Sequence, residues 1–399
     1  MIEHYIRGFE EELREIRHQI HENPELGLQE FKTSALVAEK LRQWGYEVEQ
    51  GLATTGIVAT LKVGDGEKSI GLRADMDALP IYENSGKPWA SKHPGLMHAC
   101  GHDGHTTILL GAARYFAETR RFNGTLRLIF QPAEEMINGG EIMVKEGLFD
   151  HFPCDVIFGM HNMPGLPVGK FYFQPGALMA SMDQFHITVR GCGGHGAIPH
   201  KAIDPVLVAA HITTALQSIV SRNVDPLEAA VITVGSIVAG EAANVIPDSA
   251  EMKISVRSLS RDTRQLLLTR IPALAQAQAA SFGATAEVTH VNGTPVLVND
   301  EEMARFAWQV ACKTFGEDRA EFGIKPLMGS EDFSFMLEAQ PKGGFLLFGN
   351  GDVGEGSCMG HHLSVRSNPY QSAKSPEYQA FRRFTVRNGS RQIVDSRTP

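Results

Sequence analysis

The densest chemistry in the chain lies in one segment, Met97-His98-Ala99-Cys100-Gly101-His102-Asp103-Gly104-His105. Thiolate, imidazole and carboxylate packed this closely, with glycines that let the backbone turn tightly around them, suit a soft-to-borderline divalent metal. A Cys-x-His pair alone says little. Further on, Gln131-Pro132-Ala133-Glu134-Glu135 places two adjacent carboxylates directly after an apolar strand, where a loop would hold them at the edge of a sheet. Taken by itself this pair reads equally well as a solvated helix start. Gly159-Met160-His161-Asn162 closes another apolar run, again on a potential ligand. Open α/β sheets gather their catalytic groups at the carboxyl ends of strands, and these segments supply Cys, His and Glu at such ends.

Adjacent Glu134 and Glu135 have separable uses. One can bind metal while the other deprotonates the attacking water and later returns the proton to the departing amine. Arg73-Ala74-Asp75-Met76-Asp77-Ala78-Leu79-Pro80 ends a strand with two carboxylates, Asp75 and Asp77, which could orient ligand histidines from behind. An ion pair with Arg73 is the competing reading. Gly191-Cys192-Gly193-Gly194-His195-Gly196 fits Gly-x-Gly-x-x-Gly and raises dinucleotide binding. Its glycines open no helix, however, Pro199 interrupts the next turn, and no acidic residue ends a second strand about twenty residues on. His195 is read instead as a donor to a developing oxyanion, the plainer alternative being an exposed histidine on a glycine-rich turn.

Positioning these groups requires a sheet and helices. Ile2, Ile6, Phe9, Leu13, Ile16 and Ile20 recur at helical spacing and predict one amphipathic amino-terminal helix. Apolar runs at 57–63, 69–73, 125–130 and 156–160 alternate with helical stretches such as 106–118, which indicates an α/β layered fold. From residue 183 the order becomes strand (184–190), helix capped by Asp204 with Pro205 in its first turn, strands (230–236 and 251–257), helix (261–281) and strand (284–290). That is the split βαβ pattern of a small α+β module. The expected division is therefore a catalytic domain over 1–182, an inserted domain over 183–296 and a return to the catalytic domain over 297–399.

Composition narrows the function classes. At 399 residues, 43% of them hydrophobic, the chain is long enough for two domains. A net charge of -9 and a pI near 6.0 exclude the electrostatic footprint of a nucleic-acid or anionic-membrane binder and favour a small-molecule substrate. The acidic amino terminus has no secretory core, and no run approaches the roughly 20 apolar residues of a membrane span, so a cytoplasmic protein is expected. Cys100, Cys154, Cys192, Cys312 and Cys358 are odd in number and widely spaced, which predicts free thiols or ligands rather than disulfides. Cys154 and Cys312 are expected to be small core residues.

Together these stretches resemble the metal-dependent aminoacylase and carboxypeptidase family, most closely its hippurate hydrolase and indoleacetyl-amino acid hydrolase branch. The resemblance covers about residues 10–362 and adds His18-Gln19-Ile20-His21-Glu22-Asn23-Pro24-Glu25, His195-Gly196-Ala197-Ile198-Pro199-His200, Asn244-Val245-Ile246-Pro247 and Met328-Gly329-Ser330-Glu331-Asp332-Phe333 to the motifs above. It implies a zinc-peptidase-like catalytic domain, with a mixed sheet flanked by helices, and an inserted ferredoxin-like dimerisation domain. The implied reaction is hydrolysis of N-acyl amino acids to a carboxylic acid and a free amino acid. Two divalent ions, zinc or manganese with cobalt as a further option, would be held by Cys100, His102, Glu135, His161 and a late histidine, His361. Glu134 would be the base, and His195 would polarise the substrate carbonyl, contributed by one protomer to its partner in a homodimer or homotetramer. Asn244 and Arg257 would sit near the product carboxylate, for which the planar guanidinium is apt.

Two other readings stay open. Peptidases of the wider family usually show His-x-Asp where this chain has Asp75-Met76-Asp77, which favours the hippurate hydrolase branch. A non-catalytic metal or amino-acid binder would need neither Glu134 nor His195. After His361-His362 the resemblance stops: the tail from about residue 363 is rich in Ser and Arg and lacks the expected acidic run, as a shift in coding frame near residue 362 or divergence would produce.

Overall fold

The structure, a computed structural model, describes residues 2–351, so His361, Cys358 and the atypical tail lie outside the described residues. The chain forms two compact units, the first comprising residues 2–171 and 346–351 of the described chain, the second Tyr172–Phe345.

In the first unit, strands β1 (Glu47–Leu52), β2 (Gly56–Val63), β3 (Ser69–Asp75), β4 (Gly124–Gln131) and β5 (Val156–Met163) lie side by side in the order β1-β2-β4-β3-β5. β1, β2 and β4 pair antiparallel, whereas β3 runs parallel to both β4 and β5, so the sheet is mixed. Asp75 pairs with Gln131, and Arg73 with both Ile129 and Gly159. The carboxyl ends of β3, β4 and β5 therefore share one edge, and the chemistry-bearing loops leave from it.

Alternation decides what the sheet buries. Ile57, Ala59 and Leu61 of β2 and Leu126, Leu128 and Phe130 of β4 face one core. Against them pack Ile16 and Ile20 of helix α2 (Glu10–Glu22), Val37 and Leu41 of α3 (Phe31–Gln43), and Leu109 and Leu110 of α4 (His102–Thr119). The single amino-terminal helix expected from spacing is broken in two: α1 (Ile2–Arg7) stops before Gly8, and α2 starts after Phe9. Gly8 is a poor helix former, and Phe9 is buried in a non-helical conformation at φ −131°.

Within the second unit, β6 (Ser181–Arg190), β7 (Ala230–Val238), β8 (Ser249–Ser258) and β9 (Thr285–Thr294) form an antiparallel sheet in the order β7-β8-β6-β9. Helices α5 (Pro205–Arg222) and α6 (Arg261–Ser281) pack on it. This is the strand-helix-strand-strand-helix-strand module read from the sequence. Its core sets Phe185, Ile187 and Val189 against Val208, Ile212 and Leu216 of α5 and Leu267 and Ile271 of α6. The Asp204 carboxylate accepts from the backbone N–H groups of Val206 and Leu207, the cap that its position before Pro205 predicts. The compact unit is wider than this module and also contains helices Glu301–Phe315 and Phe333–Ala339.

Among the described residues, Cys100, Cys154, Cys192 and Cys312 form no disulfide. Cys154 is buried as expected of a core residue, whereas Cys312 is only half-buried, since it faces outward from its helix in part. Among the described residues no helix is long and apolar enough to cross a membrane.

Candidate metal centre

His102 opens α4 at the edge where β3, β4 and β5 end. The residue before it, Gly101, has φ 102°, and a Cβ there would run into the Asn162 side chain, so both conformation and space demand glycine. Asp77, just beyond β3, is buried and serves two groups at once. Its Oδ1 accepts from His102 Nδ1 at 3.1 Å, and its Oδ2 accepts from the Glu135 backbone N–H at 3.0 Å. His102 Nε2 consequently points away from Asp77 and lies 3.9 Å from Glu135 Oε1. Both atoms are buried, and neither has a hydrogen-bond partner among the described residues.

His161, at the end of β5, donates its Nδ1–H to the Asn162 carbonyl at 2.5 Å, which leaves Nε2 as the lone-pair nitrogen, 3.2 Å from Cys100 Sγ. Donor atoms of Cys100, His102 and His161 lie within 4.8 Å of one another, and so do those of His102, Glu134 and Glu135. The two groups share His102, so the five donors form one contiguous cluster.

These residues fit divalent metal ions. Buried polar atoms without partners are costly unless something satisfies them, and here an imidazole nitrogen and a carboxylate oxygen lie 3.9 Å apart, neither with a hydrogen-bond partner among the described residues. The donor set of one thiol, two imidazoles and carboxylates is that of zinc and its neighbours. Electrostatics agree. Burial pushes the Glu135 carboxyl up to about 7 against the pull of His102, with Asp77 adding to the rise. Burial also pushes the Cys100 thiol well above its ordinary range, helped by Glu135. Burial pushes the His161 imidazole down to about 3, so it is neutral at neutral pH, as a ligand must be. A bound cation relieves the crowding of acids and favours the deprotonated form of each.

Asp75 makes the ion pair with Arg73 and also holds a histidine. It accepts from Arg73 Nη1 at 2.7 Å and from His105 Nδ1 at 2.6 Å. The Asn162 backbone N–H donates to His105 Nε2 at 3.0 Å, which places the ring proton on Nδ1 and fixes the tautomer. With both nitrogens engaged, His105 is a strut between β3 and β5 rather than a ligand. Asp77 thus orients a ligand histidine, while Asp75 orients a supporting one. Sequence reading singled out neither His105 nor Asn162, although both neighbour residues that it did.

Behind α4, His21 lies between two carboxylates, its Nδ1 2.9 Å from Asp103 and its Nε2 3.2 Å from Glu83. Burial alone would lower its pKa, but hydrogen bonds and charge from Asp103 and Glu83 raise it above the ordinary value of an imidazole. This gives His21, from the His18–Glu25 motif, a place in anchoring the first turn of the ligand-bearing helix.

In the second unit, His195 is exposed on a two-residue strand, Gly194–His195, paired with Val245–Ile246. Its Nδ1 accepts from the Ala197 N–H at 3.1 Å, leaving Nε2 as the protonated nitrogen. The Asn244 carbonyl accepts from the Gly196 N–H at 2.8 Å, so His195 and Asn244 belong to one small ladder. Arg257 ends β8 half-buried and donates from Nη1 to the Met328 carbonyl at 2.7 Å, which joins it to the Met328–Phe333 motif.

Clustered thiol, imidazole and carboxylate donors at the carboxyl edge of a mixed α/β sheet, with a second carboxylate alongside, define a metal-dependent hydrolase. The chain belongs to peptidase family M20/M25/M40, whose profile matches residues 71–373, and within it to the amidohydrolase branch. It is 50% identical over 327 residues to the hippurate hydrolase of Campylobacter jejuni, covering 82% of this chain and 85% of that protein. Against the N-acetyl-L-cysteine deacetylase of Bacillus subtilis it is 37% identical over 389 residues, covering 97% and 91%. Among solved structures, the Bacillus subtilis YXEP protein, a dinuclear metal binding peptidase, superposes with a TM-score of 0.74 at 34% identity, covering 86% of this chain and 89% of that one.

Proposed function

We propose that the protein hydrolyses the amide bond of N-acyl amino acids at a pair of divalent ions, zinc or manganese, with Glu134 as the general base. The observation that carries this reading is the buried pair His102 Nε2 and Glu135 Oε1, without hydrogen-bond partners among the described residues, with Cys100, His161 and Glu134 around it. Cys100, His102, Glu135 and His161 would hold the ions, with His361 completing the set. When bound, the ions supply Lewis-acid polarisation of the scissile carbonyl.

The chain's own residues do the rest. Glu134 takes a proton from the attacking water as its oxygen bonds to the carbonyl carbon. It returns that proton to the nitrogen as the carbon–nitrogen bond breaks, giving a carboxylic acid and a free amino acid. Asp77 holds both His102 and the Glu135 backbone, so the ligands need no reorganisation. His195 would donate from Nε2 to the developing oxyanion, supplied by a second copy of the chain in a homodimer or homotetramer, while Arg257 and Asn244 would bind the amino-acid carboxylate. The free thiols support a reducing, cytoplasmic setting.

The names of the relatives favour N-benzoylglycine and N-acetyl substrates. Released amino acid, measured with a panel of N-benzoyl, N-acetyl and indoleacetyl amino acids, is expected to rank one acyl class above the others by at least about tenfold in kcat/KM. Free dipeptides turned over faster than every N-acyl amino acid would contradict the assignment.

A further inference from the structure

Glu30, in the loop before α3, is fully buried, which is unusual for a carboxyl group that has no cationic partner among the described residues. One of its oxygens accepts from the Ala133 backbone N–H at 2.9 Å, and the other lies 2.6 Å from Thr55 Oγ1. Ala133 is the residue immediately before Glu134. Its backbone is left-handed, at φ 57° and ψ 40°, a conformation that L side chains rarely adopt and that persists only where the surroundings hold it. Its side chain is fully buried, and a Cβ added at Gly27 would come within 2.8 Å of the Ala133 Cβ. Glycine at 27 lets that backbone close over Ala133. The left-handed residue turns the chain out of β4 and directly into the four-residue helix Glu134–Ile137, which begins with both functional carboxylates.

We propose that Glu30 is a positioning residue: its buried carboxyl holds Ala133 left-handed and thereby fixes where the Glu134 carboxylate is presented. The inference rests on the assignment of Glu134 as the base. Burial, with the Asp77 charge adding, pushes Glu30 up to about 8, which favours a neutral carboxyl able to hydrogen-bond without a counter-ion. A neutral amide of the same shape can reproduce both contacts, its oxygen accepting from Ala133 and its nitrogen donating to Thr55.

The test compares Glu30→Gln and Glu30→Ala, each in the wild-type and the Ala133→Gly background, at saturating zinc or manganese and with folding checked by circular dichroism. Glu30→Ala is expected to lower kcat by about 100-fold, the effect of misplacing a catalytic group by an ångström, with KM within about threefold. Glu30→Gln is expected to stay within about fivefold of wild type. Because glycine adopts the left-handed conformation without penalty, the Glu30→Ala loss should shrink to about tenfold or less relative to Ala133→Gly alone. A folded Glu30→Ala protein with wild-type kcat, or an equal loss in both backgrounds, overturns the proposal. Where Glu30→Ala does not fold, Glu30→Asp replaces it: lowered kcat at unchanged KM supports the proposal, and unchanged kcat overturns it. Glu134→Gln assayed alongside keeps the two claims apart, since activity in that variant removes the base and not the strut.

Discussion

Glu134→Gln is expected to lower kcat by about 10³-fold, within the range typical of losing a general base, while metal content stays at the wild-type level. The substitution keeps shape and hydrogen-bonding capacity and removes only basicity. Glu135→Gln should behave in the opposite sense and lose metal first. Glu135 is the carboxylate that faces His102 Nε2, at 3.9 Å, and whose backbone Asp77 fixes. Assaying both variants for turnover and for bound metal decides the roles. If Glu134→Gln lost metal while Glu135→Gln kept its metal and lost turnover, the assignments would be exchanged.

Asp77→Asn carries the second large effect. Asp77 is 2% exposed and its two oxygens serve different ligands, so an amide, with one oxygen, can accept from only one of them. Either the His102 ring loses its orienting acceptor or the Glu135 backbone loses its anchor. Partners of this kind are worth about 10–100-fold in metal affinity, and a loss of that size is expected in competition against a chelator of known affinity. Turnover should recover in part with excess metal, because the ligands themselves remain. Unchanged affinity would mean that Asp77 supports the fold rather than the metal centre.

Part of this centre was legible in the sequence: Glu134 and Glu135 follow one apolar run, His161 closes another, and Cys100 and His102 stand in a dense run of thiol, imidazole and carboxylate. The division of these residues into ligands and base came from the family resemblance, and the structure gathers Cys100, His102 and His161 in one group and His102, Glu134 and Glu135 in another. The supporting residues were not legible, because their roles depend on pairings between distant segments. Glu30 meets Ala133 across 103 positions, and His105 becomes a strut only through Asn162, 57 positions away. Periodicity likewise missed β1, whose residues are mostly exposed and so show no buried alternation. It also could not mark the second unit's carboxyl-terminal limit at Phe345, because helix and strand signals continue unchanged past 296. Asp183 is a further example: it is buried in β6 and bonded by Arg264 at 2.8 Å through both oxygens, with His290 at 2.9 Å, a cluster spread across three elements.

The central claim is that two divalent ions at Cys100, His102, Glu135 and His161 enable amide hydrolysis. It is tested most directly by stripping the protein with a chelator and measuring free amino acid released from N-benzoylglycine or N-acetyl amino acids as zinc or manganese is added back. Activity should be lost on stripping and return with added metal to a plateau at about two ions per chain. Full turnover by folded, metal-free protein would contradict the account.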